Sequence, residues 1–376
     1  MKNCKELRIA EASDIHLGHP NTPTSHILAS LRRAFPDNAE TAGLDIIFLA
    51  GDVFDRQLSL PDEEVYEIRL WITELLLLCK KHDIVLRVLE GTPSHDWTQS
   101  KLFTHLNRIA SIEADVQYVN VLSIERNEKL GIDILYIPDE WRPRCEETWH
   151  EVVALLKRQE LQQVDYVVMH GAFPHQLPKS THGRIEMHNP DNYLSITRKY
   201  VFVGHVHLHS QYERILAAGS FDRLVHGEEG AKGHIRVVAR ESGVDDIVFV
   251  RNPFAKTYLT IACEGLDEQQ VREKVENAIL KLREDSFIRL RCRKQDAAMA
   301  LLSHFANKYT QFRWSVKEIG DKQREEQVIL VDNRHKLSTI RITKDNVEEL
   351  LMARIKPKHP MLSERCSNLL QETLNE

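Results

Sequence analysis

Short, mainly apolar runs alternate with stretches of helical periodicity through the first half of the chain. Leu7–Ala12, Ile46–Ala50, Ile84–Leu89, Ile132–Ile137, Val167–Met169 and Tyr200–Val203 read as buried strands. Helices are predicted between several of them. Glu63–Lys81 carries Val65, Ile68, Ile72, Leu75 and Leu76 at helical spacing, and Glu151–Glu160 places Val152, Leu155 and Leu156 likewise. Strand–helix alternation predicts an α/β fold whose sheets are covered by helices.

After Gly204 the pattern changes to successive strands, Tyr212–Ala218, His234–Val238 and Ile247–Val250, separated by glycine-containing turns. Asn252-Pro253 then marks a boundary. Beyond it come strand Thr257–Ala262, helix Glu268–Leu282, strand Phe287–Cys292, helix Ala297–Lys308 and strand Phe312–Val316, the pattern of a small α+β domain. Asn346–Arg354 and the amphipathic stretch Leu362–Leu374 are predicted helices of a terminal tail, separated by Pro357 and Pro360. The expected division is 1–253, 254–344 and 345–376. A chain of 376 residues with 42% hydrophobic and 28% charged residues has ample apolar surface for such a core.

A net charge of −6 gives no global attraction to nucleic acid, so polyanion binding would require a local basic patch or metal ions. The six cysteines form no Cys-x-x-Cys pair, which argues against a zinc knuckle or disulfide framework and suits a reducing cytoplasm. The first residues lack an apolar leader and the longest aliphatic run, Leu75–Leu78, is too short to span a bilayer. The expectation is a cytoplasmic protein without a membrane segment.

Fifteen of the 19 histidines precede residue 227, many directly after predicted strands, where α/β proteins place their active sites. Asp14-Ile15-His16 follows the first strand. Gly51-Asp52-Val53-Phe54-Asp55 follows the second; Asp52 has two oxygens and can bridge two cations, while Asp55 is better placed to orient a neighbouring ligand. Glu90-Gly91-Thr92-Pro93-Ser94-His95-Asp96 follows the third, and Met169-His170-Gly171 and Gly204-His205-Val206-His207 complete the series. Each element alone is weak; five in this order are highly specific.

In this order the motifs resemble the calcineurin-like metallophosphoesterases, with the pattern D-x-H, G-D-x-x-D, G-N-H-[D/E], H and G-H-x-H, over roughly residues 7–250. The run Asp14-Ile-His-Leu-Gly18 and the later Gly219-Ser220, Gly227-Glu228 and Lys232-Gly233 narrow the resemblance to SbcD-type nuclease subunits of bacterial or phage DNA double-strand-break processing. The resemblance implies a layered sandwich core followed by a capping domain. It implies two divalent cations, Mn²⁺ or alternatively Mg²⁺, one held by Asp14, His16, Asp52 and His207 and the other by Asp52, His170 and His205. His95, held by Asp96, would protonate the departing oxygen, with no covalent protein intermediate. Implied partners are DNA, a coiled-coil SbcC-type ATPase docked by the tail, and a second copy of the chain, as a homodimer within a heterotetramer. The chain itself has no phosphate-binding loop of the Gly-x-x-x-x-Gly-Lys-Ser/Thr type.

One departure stands out. Ser94 occupies the place of the family's asparagine, so the second cation is completed by Ser94, by Thr92 or by water. His19, His175, His182, His188 and His209 are read as loop residues, and His82 and His105 as surface residues of helices. Arg289, Arg291 and Arg293 alternate with apolar residues and would share one strand face, either a DNA-phosphate contact or a solvated face neutralised by acidic neighbours. Three functions fit: a metal-dependent DNA exonuclease and endonuclease, a phosphatase or phosphodiesterase for another ester, and a non-catalytic scaffold.

Overall fold

A run such as Ile46–Ala50, apolar at every position, needs protein on both faces, and the computed structural model, which describes residues 6–59, 61–139, 141–182 and 184–319, supplies it. In chain order the strands are β1 (Glu6–Ala12), β2 (Ile46–Ala50), β3 (Val85–Leu89), β4 (Val116–Val119), β5 (Ser123–Asn127), β6 (Ile132–Ile137), β7 (Val164–His170) and β8 (Thr197–Gly204). They continue as β9 (Ser210–Tyr212), β10 (Ile215–Ala217), β11 (Gly233–Arg240), β12 (Asp246–Arg251), β13 (Tyr258–Ala262), β14 (Phe287–Cys292) and β15 (Arg313–Glu318). One six-stranded sheet has the order β12-β11-β1-β2-β3-β4 and the second β5-β6-β7-β8-β10-β9.

The strands that end in the chemical motifs run parallel: β1 with β2, β2 with β3, β6 with β7, and β7 with β8. Alternation along each strand divides its side chains between two cores. Ile46, Phe48 and Ala50 pack between the sheets against Tyr166, Val168 and Phe202, whereas Ile47 and Leu49 face helices Thr24–Ala34 and Glu63–His82. On the other side Val167, Met169, Val201 and Val203 pack with Val152 and Leu156 of helix Cys145–Arg158. The result is a four-layer α/β/β/α sandwich, and no described helix is long and apolar enough to cross a membrane.

Several predicted elements move. Tyr212–Ala218 is not one strand but β9 and β10, antiparallel and joined by a turn at Glu213-Arg214, where Glu213 adopts φ 50° without the glycine or asparagine that usually marks such a turn. The helix around Val152 starts at Cys145 rather than Glu151, because Thr148 also reaches the core. β4 and β5 escape the apolar pattern, being short, partly polar edge strands. The helices assigned to 346–354 and 362–374 lie outside the described residues.

The small α+β element is a parallel sheet, β13-β14-β15, backed by helices Glu268–Ile279 and Ala297–Lys308 around Ile261, Val275, Leu290 and Phe305. It begins where Asp222 Oδ1 accepts the Lys256 N–H at 2.6 Å, and the Tyr258 hydroxyl meets that of Thr22 at 2.9 Å. Cys79, Cys263 and Cys292 are buried free thiols, and Cys145 is a partly buried one.

Arg87 on β3 ties the two sheets together. Its guanidinium, 5% exposed as a residue, donates to both oxygens of Glu125 on β5 at 2.9 and 2.6 Å and to Asp115 at 2.9 Å. Burial alone would raise the Glu125 carboxyl; the hydrogen bonds and charge of Arg87 outweigh it and hold the carboxyl below its usual range. A group whose folded pKa is depressed stabilises above its unfolded value and loses that contribution as pH falls through the folded one. Replacing Arg87 with Met should therefore cost about 3 kcal/mol at neutral pH. The deficit should shrink as Glu125 protonates, and urea unfolding of both proteins over an acid pH series checks it.

Candidate metal centre

Each motif reaches the site from the carboxyl end of a parallel strand: Asp14 and His16 after β1, Asp52 after β2, Thr92 and His95 after β3, His170 at the end of β7, His205 and His207 after β8. Tight turns are required there. Asp14, His16 and Asp52 adopt left-handed backbone at φ 49°, 56° and 50°, conformations costly for residues with a Cβ and concentrated at functional sites. Gly51 has φ 89°, and a Cβ on it would lie 2.3 Å from His170 Nδ1. A Cβ on Gly91 would come within 2.1 Å of the Asp52 backbone nitrogen. Both glycines are thus demanded by close approach of chain to ligand set.

The carboxylates and imidazoles form overlapping groups: Asp14, His16 and His207; Asp14, Asp52 and His170; His16, Asp52 and His95; and Asp139, His170 and His205, each with donor atoms within 4.8 Å of one another. Asp52 is central. Its Oδ2 lies 3.4 Å from His170 Nε2, 3.8 Å from His16 Nε2 and 2.8 Å from His95 Nδ1. Burial would raise its carboxyl, but His170 and His95 outweigh that and hold it well below the ordinary carboxylate range. It is therefore ionised.

The second partners of the imidazoles decide which nitrogen faces the site. His170 Nδ1 is 2.7 Å from the Ala50 carbonyl, which only accepts, so Nδ1 carries a proton and Nε2 is the nitrogen left to face the site. His207 Nδ1 is 2.7 Å from Glu228 Oε1, and His16 Nδ1 is 3.2 Å from Asp55 Oδ1. Both Nε2 atoms thereby face the site, and they stand 3.0 Å apart. With both rings neutral, two lone pairs would face each other at that distance, and a cation bound to both would relieve the repulsion. The Nε2 of His170 is buried and has no hydrogen-bond partner. Donors at about 2.1 Å from a common ion lie roughly 3 to 4 Å apart, the range seen here. The donor set therefore fits divalent cations.

Glu228 is a member that the motif reading quoted without assigning. Its carboxylate also accepts the Leu224 N–H at 3.0 Å and lies 3.2 Å from Lys232 Nζ, which donates to the His207 carbonyl at 2.8 Å and to Ser220 Oγ at 2.5 Å. Burial opposes its charge, but Lys232 and His207 outweigh it and keep it ionised. The segments Gly219-Ser220, Gly227-Glu228 and Lys232-Gly233 thus meet behind one imidazole.

The structure gives Asp96 a different task from holding His95. Its two oxygens accept the backbone N–H groups of Phe54 at 2.9 Å and Gly91 at 2.7 Å, locking the turns after β2 and β3, while the imidazole of His95 meets Asp52. Ser94 lies half-buried in the turn Pro93–Asp96; the hydroxyl that reaches Asp52 Oδ2, at 3.2 Å, is that of Thr92. His19 accepts the Asn21 and Thr22 N–H groups, His209 stacks on Phe249 and His175 on Tyr212, as loop residues do. His182 lies 3.2 Å from the Pro174 carbonyl, and buried His188 contacts the Tyr193 hydroxyl at 2.8 Å. Asp139 was missed by the motif reading, although Pro138-Asp139 directly follows a buried strand in the same rhythm as the other motifs.

Fold and donor set together define a metal-dependent phosphoester hydrolase. The sequence model of the calcineurin-like phosphoesterases matches residues 7–209, and the chain belongs to that family. No curated protein sequence matches it. Among solved structures, one crystal structure is similar at 12% identity and TM-score 0.38, over 65% of this chain and 98% of its own. Another, of TT1561 of Thermus thermophilus, is similar at 12% identity and TM-score 0.36, over 64% and 98%.

Glu228→Gln keeps the shape but removes the charge that orients His207 and balances Lys232. Titration calorimetry of the metal-free protein with Mn²⁺ should show one ion bound about 10-fold more weakly or worse. Two ions bound at wild-type affinity would show that Glu228 does not orient a ligand.

Proposed function

We propose that this phosphoesterase is a Mn²⁺-dependent nuclease acting on DNA ends, the nuclease subunit of an SbcCD-type complex. The observation that carries the reading is a run of basic side chains on one face of the appended sheet. Arg289 and Arg291 alternate along β14 with buried Ile288, Leu290 and Cys292, and Arg313, Ser315 and Lys317 project from β15 on the same side. Arg293 follows the end of β14 and is exposed. The face is only partly neutralised: Arg291 pairs with Glu264, and Arg289 donates to Thr260 at 3.2 Å. Two adjacent residues link face and site, since Glu228 holds His207 while Glu229 accepts the Thr260 N–H at 3.2 Å. A row of guanidinium groups on a sheet appended to a phosphoesterase suits a polyanionic strand better than a small ester.

Two divalent cations held by Asp14, His16, Asp52, His170, His205 and His207 would supply Lewis acidity at a phosphoryl oxygen and lower the pKa of water. Among the chain's own groups, His95, only 5% exposed and held by Asp52, is the proton donor for the departing oxygen. Asp55 and Glu228 fix the tautomers of His16 and His207.

The reading predicts Mn²⁺-dependent cleavage of end-labelled single- and double-stranded DNA, abolished by EDTA and reduced about 100-fold or more in His95→Ala. Replacing Arg289, Arg291 and Arg293 together by Gln should weaken DNA binding and flatten its salt dependence. The slope of log K against log salt should fall by about one to three. Rapid turnover of a small phosphoester without DNA cleavage would replace the nuclease by a phosphatase or phosphodiesterase. Metal binding without either activity would favour a scaffold.

The proposed partner is a coiled-coil ATPase, with a second copy of the chain in the same assembly. Removing the residues after Pro357 should abolish co-purification with that ATPase while metal binding persists. Retained association would exclude the tail as the dock.

A further inference from the structure

We infer that Asp139 is a donor to the second cation, filling with a carboxylate the place that the family fills with the asparagine amide of Gly-Asn-His. The inference concerns the metal centre and is independent of the substrate.

Asp139 arrives by the same route as the other donors. Ile137-Pro138-Asp139 leaves the end of β6, which lies parallel to β7 with Ile137 opposite Met169, while His170 on β7 lies opposite Gly204 on β8. Three neighbouring strands therefore deliver Asp139, His170 and His205 side by side, and their donor atoms lie within 4.8 Å of one another. Pro138 fixes the backbone angle φ just before Asp139 and donates no hydrogen bond of its own.

The distances are those of co-ligands. Asp139 Oδ2 is 3.6 Å from His205 Nδ1, too far for an N–H···O bond and suited to two donors around one ion. The Asp139 side chain is only 7% exposed. Beside it, His170 Nε2 is buried without a hydrogen-bond partner, its proton committed on the other nitrogen to Ala50. That buried nitrogen, 3.4 Å from Asp52 Oδ2, is placed to share a cation with the neighbouring carboxylates.

Thr92 sets the orientation. Its Oγ1 is 3.0 Å from Asp139 Oδ2 and 3.2 Å from Asp52 Oδ2, so one hydroxyl proton lies between two carboxylates that would otherwise repel. Its backbone N–H donates to the other oxygen of Asp52 at 2.5 Å. Thr92 is thus a positioning residue for both. The chemical consequence is a harder and more negative site. Three carboxylates, Asp14, Asp52 and Asp139, face two divalent ions where an amide would leave two, which favours oxygen-preferring cations such as Mn²⁺ and Mg²⁺.

Mn²⁺ binding by the full-length, metal-free protein, followed by calorimetry and by electron paramagnetic resonance, tests this without any substrate. The wild type should bind two ions and show the coupled signal of a Mn²⁺ pair. Asp139→Ala should weaken the second ion at least 10-fold and lose the coupled signal while the first ion binds as before. Asp139→Asn, which returns the family's amide at nearly constant shape, should recover part of both, and Ser94→Ala should change neither. Circular dichroism melting confirms that each variant is folded. Two ions bound at wild-type affinity in Asp139→Ala would overturn the assignment. So would loss of the second ion in Ser94→Ala with none in Asp139→Ala.

Discussion

Asp14 and Asp52 are almost wholly excluded from water at the point where two sheets end, and the remaining structure of the site answers that constraint. Buried negative charge is tolerable only when it is compensated within a few ångströms. Here compensation comes from the imidazoles of His170 and His95 beside Asp52, whose role divalent cations would take over. The left-handed backbone at Asp14, His16 and Asp52, and the bare glycines beside Asp52 and His170, bring these groups together in spite of their mutual repulsion. The apolar core between the sheets supplies the rigidity, because every strand that delivers a donor is packed on both faces.

Around this centre the polar residues act through one another. Ala50 and Glu228 stand at hydrogen-bond distance from Nδ1 of His170 and His207, and Asp55 lies 3.2 Å from Nδ1 of His16, which turns the other nitrogen of each ring inward. Asp96 holds the turns after β2 and β3 by accepting two backbone N–H groups. Lys232 neutralises Glu228 in the interior and fastens the segment around His207 to Ser220. From the same loop Glu229 reaches the small sheet, accepting the Thr260 N–H.

The strands and motifs of the core were legible in the sequence because their signals are local: continuous apolar runs, and a histidine or carboxylate immediately after each. Asp14, His16, Asp52, His170, His205 and His207 could be gathered in advance, since parallel strands present their carboxyl ends on one edge. Asp139 was not, because a lone carboxylate after a strand is common and, although it keeps the rhythm of the other motifs, no histidine stands beside it. Nor could the exchange of partners between Asp96 and Asp52, where the contact depends on how two turns from different strands approach each other. The turn that divides β9 from β10 escaped for the opposite reason, its glutamate holding a conformation that its residue type does not announce.

By itself, the sequence determined the class of fold, the order of the donors and the kind of chemistry they support, because hydrophobic period and residue type act over a few neighbouring positions. Only the tertiary structure decided which nitrogen of each imidazole faces the centre, that Glu228 and Lys232 stand behind His207, and that Thr92 and Asp139 meet beside Asp52. These depend on distances between segments remote along the chain, which packing of the two sheets sets and local pattern does not encode.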